Sequence, residues 1–482
     1  MTSRLRAILL PPPNHENTDN PLGSAFALTV VAVFVQGLTR FGYSILVGRV
    51  LGKEALADVT TVISVATLLV LLWPQGSGTA ASKFIAMARS RQDRVEQAAV
   101  SAFTARSAAT AMAGLSVVAT VFTAFALHLP WHYALSTGLF MIALASYTFV
   151  RGVRTGNNQF VTTTAWDAIS SFISLTALTL VLLGGWTPWL MAPLIVGYLL
   201  YAFSAWPRRA GTSLDPGLRR DILVFTAWTS AHLLTSTGLL QLSVVIGRTI
   251  DSKEALGLYS AAVSLATPAS MLSGSMLTAL SPSVSRMYGA GDVDGLRAQV
   301  DRIMRIMVLV FLPVFAVGML WADVLLAVVY GASFAAAEPL LVLLFAAVSL
   351  TSFNAANARL SGTVSWGVRV LAAANALGLV VGVATIWALA PTLGVLAAAV
   401  GYLVGTALAA VIPLAVVWRY DRMPWAGTAV RLAVGYTLVT LALLAAQGHD
   451  GWWLRVALTA GFLAVWALMG RRDLVLLLRR GR

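Results

Sequence analysis

Gln36, Arg40 and Tyr43 follow one another at i, i+4 and i+7 within an apolar run, so a helix there sets all three on one face. An Arg at the centre of a membrane span costs about 2.5–3.5 kcal/mol to insert, and such residues normally turn toward protein or water. These residue types suit reception of an anionic head group, with Arg40 as the cation. The competing reading is that Arg40, seven residues from the end of its run, snorkels to the outer interface. Trp228, His232, Ser236 and Ser243 line up on a second helical stripe, with Gln241 opposite. That stripe either faces a cavity across from Arg40 or packs a histidine against a neighbouring helix. Asn354 and Asn357, at i, i+3, and Asn375 could bind sugar hydroxyls, since amides both donate and accept. They could equally join helices, at about 0.6 kcal/mol each. Asp167 is the one carboxylate clearly inside an apolar run, and Arg106 lies at similar depth. The two either pair at an inner gate or are separately solvated.

Other patterns carry less. GSGTAA at 76–81 fits a Gly-x-Gly-x-x-Ala string but has no strand ahead of it, so it reads as small-residue helix packing rather than a dinucleotide loop. Asp292 and Asp294 sit among glycines and read as a turn before a helix. His128 and His132 have metal-like spacing, but Pro130 interrupts them. The five His pair with no nucleophile, and no phosphate loop ending in Lys is present. No cofactor, no metal and no catalytic residue are therefore expected.

The elements that position these residues follow from composition. Of 482 residues, 58% are hydrophobic and 11% charged, against about 25% charged in soluble domains, and the mean hydropathy is +0.81. The fold class expected is an all-α polytopic membrane protein. Fourteen spans are predicted near 22–47, 57–81, 99–127, 131–150, 164–184, 187–206, 222–247, 257–281, 303–330, 340–360, 366–389, 393–418, 429–446 and 452–470. With a cytoplasmic N-terminus, the even-numbered loops and both tails hold most of the 33 Lys and Arg, while the opposite loops hold Arg49, Lys53, Arg248, Lys253 and Arg455. By the positive-inside rule this puts both termini in the cytoplasm; the expected location is a bacterial-type plasma membrane. Trp residues cluster near span ends, as an aromatic belt requires. Topology thus accounts for the net charge of +14, and no nucleic-acid partner is expected.

The sequence also repeats itself. VGRVLGKEALADVTTVISVAT at 47–67 and IGRTIDSKEALGLYSAAVSLAT at 246–267 share nine positions with one inserted residue. The offset of six spans starts both copies from the same side, which makes the repeat parallel. Each copy covers the end of a first helix, a tight loop and the start of a second, and is followed by a polar connector (83–98 and 285–302). The loops hold Arg49, Lys53 and Glu54 in one copy, and Arg248, Asp251, Lys253 and Glu254 in the other. Ion pairs between them could latch an outer gate. Exposed pairs are usually worth under about 1 kcal/mol, so a purely topological role stays open. Pro74 and Pro268 are expected to kink the second and eighth spans.

With VGRVLGKEAL at 47–56, TIDSKEALGLYSAA at 249–262 and VYGASFAAAEPLLVLL at 329–344, the chain resembles the polysaccharide transporter family, the O-antigen and lipid-linked oligosaccharide flippases of the superfamily that includes multidrug extruders. The resemblance implies two six-helix lobes, 22–206 and 222–418, around a central cavity. They are joined by a cytoplasmic linker (207–221) and flanked by a cytoplasmic tail (1–21), an extra helix pair (419–470) and a basic tail (471–482). It further implies alternating access, a monomer, and as partners a lipid-linked saccharide, membrane lipids and polysaccharide assembly enzymes. The expected activity is export of a polyprenyl-pyrophosphate-linked oligosaccharide or polysaccharide precursor. A multidrug extruder of the same architecture is the alternative, disfavoured because organic cations call for embedded acids. A membrane-embedded polymerase or ligase is a third reading, which the short outer loops oppose.

Overall fold

Small, aliphatic and aromatic residues on every side of long segments leave the backbone only one way to satisfy itself in lipid, which is helix. The computed structural model describes residues 22–207, 213–290, 292–353, 355–363, 366–447 and 451–479. The side chains of 22–34, 272–286, 288–289, 362–363 and 472–479 are outside that description. All regular structure among the described residues is helical. Eleven helices are long and apolar enough to cross a membrane, and Thr187–Phe203 is a shorter apolar segment. The chain is a multi-pass membrane protein.

Two compact units divide the chain, Met1–Ser260 and Ala261–Arg482. In the first, α1 (Leu22–Leu51) and α2 (Lys53–Leu72) meet at Gly52, whose φ of 84° favours glycine. The span predicted over 57–81 is broken rather than bent: Trp73 leaves helical geometry at φ −151°, and α3 (Pro74–Ser90) restarts with Pro74, which has no N–H to donate. The connector expected at 83–98 is two helix ends and a turn, in which Asp93 accepts from the Glu96 amide at 2.8 Å and starts α4 (Arg94–Val121). Then follow α5 (Trp131–Gly156), α6 (Phe160–Leu183), α7 (Ala192–Phe203) and α8 (Pro216–Ile250).

The central helix of this unit is α5, with 72% of its apolar window buried. It packs on α2, α3, α4 and α7. Glycine permits its closest approach: a Cβ on Gly152 would stand 2.2 Å from the Gly78 carbonyl oxygen, and one on Gly156 2.9 Å from that of Ser82. The GSGTAA segment is helix packing, as expected, since Gly76 likewise abuts Thr226 and Ser230 of α8.

Helix α9 (Lys253–Gly289) runs on through Pro268 without interruption. In the second unit Asp292 accepts from the Gly295 amide at 2.8 Å and caps α10 (Val293–Leu320), so the Asp-x-Asp expected as a turn is the cap and first turn of a helix. Next come α11 (Ala322–Tyr330), α12 (Glu338–Ser352), α13 (Ala355–Thr363), α14 (Gly367–Leu393), α15 (Leu396–Tyr420), α16 (Ala426–Ala446) and α17 (Trp452–Arg479). The spans predicted over 303–330 and 340–360 are thus each two helices, the first broken at Trp321. Both helices of the extra pair, α16 and α17, pack on α10.

Candidate functional site

Helix α5 continues two turns beyond its last long apolar stretch, and that extension carries the chemistry. Tyr147, Arg151 and Arg154 recur at i, i+4 and i+7 on its face toward α6 and α7. Asp167 of α6, fully buried, accepts from the Tyr147 hydroxyl at 2.8 Å, and its Oδ2 lies 3.5 Å from Arg151 Nε. Gln36 Nε2 reaches Asp167 Oδ1 at 3.5 Å and Ser170 Oγ at 3.4 Å. Arg40 Nε donates to the Tyr198 hydroxyl at 3.1 Å, and the Tyr147 and Tyr198 rings stack at 4.8 Å. Arg154 is 1% exposed. It donates to Ser204 Oγ at 2.6 Å and lies over the rings of Tyr201 and Trp166, 4.7 and 5.6 Å from their centroids. Its Nε and Nη1 are buried without a hydrogen-bond partner.

Three guanidinium groups and one carboxylate therefore share one largely buried polar network. Excess positive charge of this kind, in surroundings of low dielectric, acts strongly on any anion that comes near. Arg151 links the network to an open cleft of about 280 Å³ between α3, α5 and α6, where Thr, Ser and Gln side chains form the wall beside it.

Of the two readings of Arg106 and Asp167, the pair does not form, and separate solvation holds for Arg106 but not for the buried Asp167. Arg106 is exposed on α4, and Asp167 pairs with Arg151, which is a quarter exposed. Reading the fourth span as ending at 150 put Arg151 and Arg154 in a loop; the helix in fact runs to Gly156. The i, i+4, i+7 spacing of Tyr147, Arg151 and Arg154 was the signal that could have found them. Arg40 turns into protein rather than to the interface. Tyr43 leaves the shared face open to no ligand, because it is 1% exposed and donates to the Leu190 carbonyl.

Trp228, His232 and Ser236 lie exposed on one side of α8, while Thr226 and Ser230 on the other side are buried. Ser243 leaves the exposed stripe and bonds Tyr259 at 2.7 Å. Asn354 lies outside the described residues. Asn357 on α13 and Asn375 on α14 are half-buried in the second unit. There the buried polar pair is Arg359 with Asp421, bidentate at 2.9 and 3.1 Å, and Asp323 holds Arg455 of the last helix.

The repeated loops come together within the first unit. Lys53 Nζ lies 2.7 Å from Glu254 Oε1, joining the copies. Arg248 and Lys253 both converge on Asp58, at 3.1 and 3.9 Å. Gly257 is pressed so closely that a Cβ would stand 2.2 Å from the Lys53 carbonyl oxygen. Arg49 and Glu54 are exposed and take no part in these pairs. Asp58 went unmarked in the sequence because the repeat places Leu258 opposite it.

Residues 22–288 match the family model described as polysaccharide biosynthesis protein, and residues 230–387 match the MatE model. The lipid II flippase MurJ in an inward closed conformation is similar at a TM-score of 0.69 and 12% identity, covering 93% of this chain and 99% of that one. A multidrug resistance MATE family transporter of the MOP superfamily, inward-facing, is similar at 0.63 and 16%, covering 85% and 99%. The eukaryotic MATE transporter AtDTX14 is similar at 0.56 and 17%, covering 83% and 96%. At such identities the likeness is one of fold. A search of curated protein sequences finds no match.

Proposed function

The chain belongs to the polysaccharide biosynthesis protein family, and from that premise we propose that it is an alternating-access flippase or exporter. Its cargo is a polyprenyl-pyrophosphate-linked oligosaccharide or a cell-surface polysaccharide precursor, carried from the inner to the outer leaflet of a plasma membrane. The solved likenesses that support this include a protein named as a lipid II flippase. In this reading the two six-helix lobes rock about a central cavity, both termini are cytoplasmic, and the protein works as a monomer beside polysaccharide assembly enzymes. The activity is transport rather than catalysis.

The observation that carries the proposal is the charge of this largely buried network: Arg40, Arg151 and Arg154 against Asp167 alone. A net cationic interior suits a pyrophosphate. Trp228, His232 and Ser236, exposed on α8, are assigned to the sugars, as are Asn357 and Asn375. Lys53–Glu254 and the Asp58 cluster are assigned to a latch between the repeated loops.

The second reading, a multidrug extruder, has two observations in its favour: the MatE match at 230–387 and the buried Asp167 carboxylate. An organic cation, though, would have to approach a network already in cationic excess. The test is reconstitution in vesicles. A fluorescent polyprenyl-pyrophosphate saccharide should reach the far leaflet, and Arg40→Ala should abolish that movement while the protein still inserts. Efflux of an organic cation with no saccharide movement would reverse the ranking.

A further inference from the structure

The cleft between α3, α5 and α6 has a definite hydrogen-bonding character. Along its wall Thr79, Thr155 and Thr163 donate to the carbonyl four residues back, at 3.1, 2.9 and 2.9 Å, and Thr148 donates to the one three back at 3.0 Å. A hydroxyl whose proton is held by its own helix keeps its lone pairs, so these threonines meet a ligand as acceptors. The Gln75 amide adds a donor and an acceptor, and Arg151 supplies charged donors. An acceptor wall beside one cation fits a molecule with many O–H donors and a single negative group.

Size narrows the choice. About 280 Å³ exceeds several waters at roughly 30 Å³ each, yet lies at the small end of ligand sites, which span roughly 300–1,000 Å³. That space holds about one sugar ring, and any further units of an oligosaccharide would extend outside it. Charge adds a driving force, because Arg154 shares a helix face with Arg151 and forms no salt bridge among the described residues, so the two guanidiniums outnumber the Asp167 carboxylate near them.

We propose that this cleft binds a single acidic sugar, its hydroxyls against the threonine wall and its anionic group against Arg151. Resting on the flippase reading, this makes the cleft a subsite for one unit of the transported head group, separate from any grip on the lipid-linked pyrophosphate by Arg40.

The chain contains no Cys, so one introduced thiol reports its own surroundings. Thr155→Cys places it in the cleft wall, and Thr110→Cys places it on the exposed face of α4 as a control. Full-length protein in detergent is alkylated with and without glucose 1-phosphate, glucuronic acid, glucose or inorganic phosphate. Both acidic sugars should slow labelling at Thr155→Cys at least fivefold and leave Thr110→Cys unchanged. Adding Arg151→Gln with Asp167→Asn, which removes both charges together, should raise the protecting concentration at least tenfold.

Equal protection by neutral glucose would remove Arg151 from the site. Equal protection by inorganic phosphate would remove the sugar, and protection at neither or at both cysteines would remove the cleft. Protection by glucose 1-phosphate but not glucuronic acid would assign the anionic group to phosphate, and the reverse to carboxylate; either supports the site. Translocation in vesicles is measured on the same preparation. Translocation without protection overturns the cleft and leaves the flippase reading standing, whereas protection without translocation does the opposite.

Discussion

Asp58 and Arg248 form an ion pair at 3.1 Å that joins the two copies of the internal repeat, although the copies are not alike at this point. The second copy places Leu258 where the first has Asp58, so one carboxylate serves both Arg248 and Lys253. The junction is held by a departure from the repeat.

Asp58→Asn should therefore destabilise the protein more than its location near a loop suggests. The side chains of Asp58 and Arg248 are 11% and 6% exposed, and removing one partner of a buried pair costs about 3–5 kcal/mol. Thermal unfolding of the purified protein checks this. Asp251→Asn, at an exposed position, should shift the midpoint little.

Lys53 and Glu254 offer the milder contrast. Glu254 is 62% exposed, so its pair at 2.7 Å should contribute under about 1 kcal/mol. Lys53→Glu and Glu254→Lys should each lose a few tenths of that scale, and the double swap should recover most of it. If the pair latches a gate, the single variants also change transport rate, and the swap restores it. A rate that the swap leaves uncorrected would argue that the two residues act independently.

Gly152→Ala tests the crossing of α3 and α5. The added methyl would stand 2.2 Å from the Gly78 carbonyl oxygen and 2.9 Å from its Cα, so one helix has to move. Overpacking typically costs about 1–3 kcal/mol. Gly114→Ala, where a Cβ meets nothing within 4 Å, is the matched control and should be tolerated. Because Gly152 also lines the cleft, its variant should lose sugar protection as it loses stability.

The helices were legible because hydrophobic length in a membrane is almost sufficient to define them: each of the fourteen predicted spans coincides with a helix or a broken pair. Breaks were harder to place. Pro74 and Pro268 look equivalent in sequence, yet only Pro74 stands at a break, where Trp73 supplies the non-helical turn. The candidate site was half legible. Gln36, Arg40 and Asp167 stand out as polar residues in apolar runs, but their partners do not. Arg151 and Arg154 lie where a helix outlasts its hydrophobic stretch, and the hydropathy that marks spans assigns such residues to loops. Tyr147, Tyr198 and Tyr201 carry their hydroxyls on rings that read as core.

The Arg151–Asp167 pair permits the sharpest test, because its two members differ in what they lose when separated. Arg151 is a quarter exposed and lines the cleft, so without Asp167 its guanidinium can be solvated there. Asp167 is fully buried, and without Arg151 its carboxylate keeps the neutral Tyr147 and Gln36 donors and the more distant charge of Arg154, with no salt bridge. Breaking a buried pair from the cationic side should therefore cost the larger share, up to about 3–5 kcal/mol. Arg151→Gln is expected to unfold at the lowest temperature and Asp167→Asn at a higher one. Arg151→Gln combined with Asp167→Asn should fall above Arg151→Gln alone, because the stranded charge is gone. The reverse order, with Asp167→Asn the worst, would mean that Arg151 rather than Asp167 is the group the fold cannot leave unpaired.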